Sequence, residues 1–101
     1  MSQAITAAQK RYLRGLAHPL KPLIQVGGKG ITDALLAELE LTLERHELIK
    51  VKVAAEDRET RDAWIAALAE RSGAALVQRI GHTVTLYRAA QEKPQIVLPR
   101  S

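Results

Sequence analysis

Four consecutive residues, Gly27, Gly28, Lys29 and Gly30, have the types and spacing needed to hold an anion. They stand between a short apolar run, Leu23 to Val26, and a helix start at Thr32. Glycines let the backbone take left-handed conformations and come close to a ligand with no Cβ in the way. The helix beyond presents unpaired N–H groups and the positive end of its dipole. Lys29 adds a mobile cation at the tip, so the loop suits a phosphate. The competing reading is a plain strand-to-helix turn that needs glycine for geometry alone. The GxxxxGK[ST] phosphate loop does not fit, because Lys29 is followed by Gly30, and GxGxxG fails at Asp33. GxxG clamping of a nucleotide backbone, as in KH-type domains, fits the spacing, although there the loop joins two helices.

A cationic helix precedes this loop. Thr6 to about Ala17 reads as a helix with Tyr12, Leu13 and Leu16 on one side and Lys10, Arg11 and Arg14 on the other. Arg11, Arg14 and His18 follow i, i+3, i+7 spacing, and Lys10 and Arg14 follow i, i+4, which gives a stripe of one sign. No Asp or Glu occurs before Asp33, while Lys21 and Lys29 add further charge, so the first 32 residues carry +5 and the remaining 69 carry −1. Such asymmetry produces a directed field that favours an anionic partner. With no Phe, one Trp and two Tyr, there is no stacking platform. Tyr12 and Trp64 lie on apolar stripes and are expected in the core, so binding is expected to address backbone and shape rather than bases.

The elements that position these residues alternate between helical and strand periods. His18-Pro19 ends the first helix, because proline disfavours helical geometry in the residue before it. Thr32 is expected to cap a second helix with Leu35, Leu36, Leu39 and Leu43 on its buried stripe and Asp33, Glu40 and Glu44 elsewhere. Leu48 to Ala54 alternates, with Ile49, Val51 and Val53 facing the core and Lys50 and Lys52 facing out. If the last strand pairs with this one, Thr85 and Tyr87 share the lysines' face. Asp57 is expected to cap a third helix that buries Trp64, Ala67 and Leu68 and stops at Gly73. Two strands, about Leu76 to Ile80 and Thr83 to Arg88, follow around the turn Gly81-His82. The first alternates poorly and leaves the face of Arg79 open. The order α-β-α-β-α-β-β implies an α/β fold with a mixed four-stranded sheet and helices packed on it. The tail from about residue 93 reads as extended and outside the sheet.

One hundred and one residues make a single domain, expected over 2–98, able to bury roughly two-thirds of its unfolded surface. Without cysteine there is neither a disulfide framework nor a thiolate metal site. His18, His46 and His82 are separated and have no carboxylate or nucleophile at a telling spacing. No catalytic residue, metal or cofactor is therefore expected. The N-terminal stretch lacks an apolar run of signal-peptide or membrane-span length, so a cytoplasmic, membrane-free protein is expected, with monomer as the default.

Several separated segments, LRGLAHPLKPLIQVGGKGIT, HELIKVKV, the EDRET helix start, IGHTVTLYR and KPQIVLPR, resemble the CRM domain in its stand-alone bacterial, YhbY-type form. The resemblance runs across essentially the whole chain. It implies a fold like the C-terminal domain of translation initiation factor three, RNA binding through the GxxG loop, and association with ribosomal RNA in large-subunit precursors during assembly. It carries the loop role onto Gly27, Gly28, Lys29 and Gly30 and the basic-helix role onto Arg11 and Arg14. Ribosomal proteins are further candidate partners. Two alternatives stand beside it: a protein-interaction adaptor on the ribosome, and a binder of a small phosphate ligand, which would need an enclosed pocket.

Overall fold

The computed structural model of the chain describes residues 5–99, so residues 2–4 of the expected domain lie outside the described residues. Its elements are α1 (Ala7–Ala17), β1 (Ile24–Val26), α2 (Asp33–His46), β2 (Leu48–Val53), α3 (Arg58–Ser72), β3 (Ala75–Ile80) and β4 (Thr83–Tyr87), in the expected order. The strands form one sheet in the order β1-β2-β4-β3. β1 runs parallel to β2, and β4 pairs antiparallel with both β2 and β3.

The pleat of β2 sends alternate residues into two separate apolar layers. Ile49, Val51 and Val53 join Leu39 and Leu43 of α2 and Ile65 and Leu68 of α3 in the larger core. On the opposite face Leu48 and Tyr87 meet Leu13 and Ala17 of α1, together with Val77. Helix α1 thus covers only the Leu48 end of its face, and the Lys50 and Lys52 end stays outside that cluster.

Local chemistry fixes the helix ends. Thr6 forms a capping box: its hydroxyl accepts from the Gln9 N–H at 3.1 Å, and its own N–H donates to Gln9 Oε1 at 2.9 Å. Thr32 caps α2 by accepting from the Leu35 N–H at 3.1 Å. Asp57 occupies the N-cap position of α3, and Gly73 ends that helix in the left-handed conformation. The Asp57 carboxyl sits below its ordinary pKa, chiefly because the Thr60 hydroxyl hydrogen-bonds to it.

The poor alternation of β3 has a physical cause. Its register with β4 shifts between Leu76 and Gln78, a bulge that puts Val77 and Gln78 on the same face in succession. Beyond the bulge Arg79 pairs with Asp62 of α3, which places it on the helix-covered face.

The tail lies outside the sheet but is tightly held. The Glu47 carboxylate, 2 % exposed, accepts the N–H groups of Ala90 (2.8 Å), Gln95 (2.8 Å) and Ile96 (2.9 Å). Burial works to raise its pKa, but these three donors prevail and hold it below the usual carboxylate value. Glu44 accepts from the N–H groups of Gln91 and Glu92 in the same way and is likewise lowered. Ile96 and Leu98 then pack beside α1.

The expectation that Tyr12 and Trp64 lie in the core is corrected, and Leu16 of the same helix stripe is exposed as well. Tyr12 is 43 % exposed and Leu16 40 % exposed. Helix α1 rests on the sheet through the narrower seam of Leu13 and Ala17, one turn apart, which turns Tyr12 and Leu16 outward. Trp64 is half-buried at the edge of the larger core, where its indole lies against Gly30.

Candidate nucleic-acid interface

The glycine loop follows β1, where the Gly30 N–H closes a turn on the Gly27 carbonyl at 3.0 Å. Its glycines are not equivalent. Gly30 has φ +71°, and a Cβ there would stand 2.9 Å from Trp64 Cζ2, so this position demands glycine for backbone and packing together. A Cβ at Gly27 or Gly28 would meet nothing within 4 Å, and neither has a positive φ. The left-handed freedom expected of the loop is therefore used at Gly30 alone. Gly27 and Gly28, both exposed, leave bare backbone facing solvent at the tip beside the exposed Lys29. The helix end behind the loop is less open than expected, because Thr32 takes one of its free N–H groups and Asp33 brings a negative charge into the first turn.

The loop's other neighbours come from a distant connection and carry no signal in the sequence. Ala54 bonds through its N–H to the Val26 carbonyl at 2.9 Å, which brings the β2–α3 connection beside the glycines. Gly28, Glu56, Asp57, Thr60 and Trp64 consequently border one hollow. Its two carboxylates would repel a phosphate there, which leaves the side of the loop away from α3 as the electrostatically open one.

The expected cations are disposed as a band. Lys10, Arg11 and Arg14 are exposed on α1, and Lys21 is exposed on the segment leading to β1. Gln25 pairs with Lys52 and faces out with it, and Lys50, half-buried, sits one pleat away. From Leu48, under α1, to Val53, beside the loop, β2 advances about 17 Å at ~3.3 Å per residue. Helix and loop therefore flank the open face from opposite ends, with Lys50 and Lys52 between them. Thr85 pairs with Lys50 and Tyr87 with Leu48, so both share the lysines' face, although α1 covers Tyr87.

Neither these six cations nor Lys29 forms an ion pair among the described residues. Three arginines of the second half, Arg61, Arg79 and Arg88, are engaged instead. Arg79 pairs with Asp62, and Arg88 grips Glu40 at 2.8 Å and the Ser72 carbonyl at 2.9 Å. Arg61 Nη1 lies 2.8 Å from His82 Nδ1. His18 caps the end of α1 and His46 ends α2.

Comparison with known proteins finds a matching family and similar chains. Residues 5–88 match the CRS1/YhbY (CRM) domain model. A Haemophilus influenzae protein named as an RNA-binding protein is 50% identical over 96 residues, covering 95% of this chain and 96% of that protein. The Bacillus subtilis protein YqeI, named as a probable RNA-binding protein, is 42% identical over 95 residues, covering 94% of this chain and 99% of its own length. The solution structure of a hypothetical Staphylococcus aureus protein superposes with a TM-score of 0.80 at 38% identity, covering 95% of this chain and all of that one.

Proposed function

Because the chain belongs to the CRS1/YhbY (CRM) domain family, we propose that it is an RNA-binding protein that holds phosphates with Gly27, Gly28 and Lys29 and with the cations of α1 and the open sheet face. The observation that carries this reading is the band of unpaired cations, Lys10, Arg11, Arg14, Lys21, Lys50 and Lys52, ending at a loop whose backbone is bare. Such a surface fits a polyanion that tracks across the domain. The names of the relatives support RNA as that polyanion. The resemblance to YhbY-type proteins further supports ribosomal RNA in large-subunit precursors as the target and assembly as the process, in the cytoplasm and as a monomer. Ribosomal proteins are added partners in that setting. No described helix is long and apolar enough to cross a membrane. The role is binding, without a cofactor, a metal or a catalytic step.

The small-ligand alternative is disfavoured by Glu56 and Asp57, whose carboxylates border the hollow beside Gly28. One observation favours the adaptor alternative: Tyr12 and Leu16, one turn apart on α1, and Leu20 beyond them form an exposed apolar ridge. Crosslinking in cells followed by sequencing of the bound RNA tests the target. Enrichment of large-subunit precursor RNA is expected, and recovery of unrelated RNAs alone refutes the assembly role. In vitro, if Lys10, Arg11, Arg14 and Lys29 each neutralise one phosphate, log affinity against log salt falls with a slope of about −3 to −4. A flat salt dependence refutes the phosphate band.

A further inference from the structure

We infer that the open half of the sheet holds a pocket for one unstacked nucleobase, walled by Leu20, Pro22 and Ile80 and floored by Gln78, Thr83 and Thr85. This rests on the RNA-binding reading and adds base recognition to a surface otherwise expected to meet only the backbone.

The pocket arises from three features of the fold. Helix α1 stops at Ala17, and the chain then returns toward β1 through Leu20, Lys21 and Pro22, which stand beside the uncovered sheet as a wall. The register of the strands lines up Lys50, Thr85 and Gln78 as one row across β2, β4 and β3, with Thr83 and Ile80 as the next. The bulge in β3 makes this row possible. Regular alternation would put Gln78 opposite Val77, on the side of α2 and α3. Two successive residues share the face instead, so Val77 remains under α1 while the Gln78 carboxamide reaches the groove.

The lining selects the occupant. Its apolar members, among them Ile80 at 67 % exposure, suit a flat ring. A carboxamide presents two donors and an acceptor, and each threonine hydroxyl both donates and accepts, which matches the mixed edge of a base. Lys21 and Lys50 also line the groove, and it contains no carboxylate, so the strand carrying that base meets only favourable charge. RNA sequence is read mainly on unpaired bases that can be splayed out of the stack. A base held within a duplex cannot enter this recess.

The test combines amide NMR of the full chain with binding by fluorescence anisotropy. The probes are an unpaired RNA octamer in each of the four homopolymers, an abasic ribose-phosphate octamer and a duplex of equal length. The amides of Gln78, Thr83 and Thr85 are expected to shift with at least one homopolymer and stay still with the abasic chain and the duplex. Gln78→Ala is expected to weaken that homopolymer about three- to tenfold, the worth of one hydrogen bond, without changing the abasic affinity or the salt slope. Gln78→Met, which keeps the side-chain length, is expected to do the same and guards against a packing effect. If these amides stay still with every RNA while Lys29 responds, or shift only with protein concentration as a contact with a second copy would, the pocket is overturned and RNA binding stands. If no RNA of any kind binds at low salt, the RNA-binding reading falls and the pocket with it.

Discussion

Substituting Gly28 and Gly30 separately divides the loop's two roles. Gly30→Ala places a Cβ 2.9 Å from the Trp64 ring in a residue with φ +71°. A left-handed alanine costs about 1–2 kcal/mol, and forcing a methyl group against a packed ring adds about 1–3 kcal/mol. A loss of about 3 kcal/mol is a large part of the 5–15 kcal/mol typical of a domain. With a urea slope of roughly 1.5 kcal/mol/M, the midpoint falls by about 2 M. Gly28→Ala meets open space at an ordinary φ, so its stability should change by less than about 0.5 kcal/mol. It should nonetheless weaken RNA binding, because the new methyl group occupies the backbone approach. Urea titration followed by the fluorescence of Trp64, the only tryptophan, reads stability, and anisotropy with labelled RNA reads binding. A Gly30→Ala midpoint within about 0.5 M of the parent refutes the packing argument. A Gly28→Ala midpoint that falls as far as that of Gly30→Ala refutes the claim that the loop tip is bare.

Lys29→Ala should flatten the salt slope by about 0.7–0.9 and weaken all RNA sequences about equally, since a phosphate contact carries no base information; an unchanged slope would make the loop a mere turn. Lys50→Ala combined with Lys52→Ala should weaken RNA binding with little change in melting temperature, whereas unaltered affinity would remove the open face from the interface. Glu47→Gln should lower stability at neutral pH by about 1.5–3 kcal/mol, as expected for hydrogen bonds to a charged group. Because the folded carboxyl lies below its unfolded value of 4.5, the parent holds this stability above that pH and loses it as the pH falls through the folded pKa. The difference between parent and variant should therefore shrink in urea titrations as the pH is lowered, and a constant difference would mean that the carboxylate charge is not what holds the tail.

The element order, the Thr32 cap and the outward Lys52 were legible in the sequence because periodicity and capping are local properties. Membership in a two-layer seam is not local. The apolar stripe Tyr12-Leu13-Leu16 looks buried until it is clear that α1 covers only part of one sheet face. The face of Arg79 could not be read because a bulge breaks the period-two pattern on which such a reading depends. The cation band was visible as charge asymmetry, but its arrangement, with α1 and the loop at opposite ends of β2, required the parallel β1–β2 register. Glu56 and Asp57 were invisible as neighbours of the loop because the contact joins connections about 28 residues apart. Glu47 left one faint trace. An acidic residue at the negative end of a helix dipole opposes the field there, and a broken local rule of that kind points to a compensating contact, here the tail's N–H groups.

That tail has a consequence for how the unit can be joined to other chains. Gln9 Nε2 donates to the Pro99 carbonyl at 2.8 Å, and Ile5, Ile96 and Leu98 pack around the same cluster. The first and last described segments are therefore held side by side, against α1. A host polypeptide can carry such a unit between two adjacent points of a surface loop without spreading its own framework. A linker closing Ile5 to Pro99 would need to span only a short gap, so a circularly permuted form opened at the exposed Gly81-His82 turn should retain the same sheet. The domain is built like a bead in which Ile5 and Pro99, the two ends of the described chain, meet at one spot.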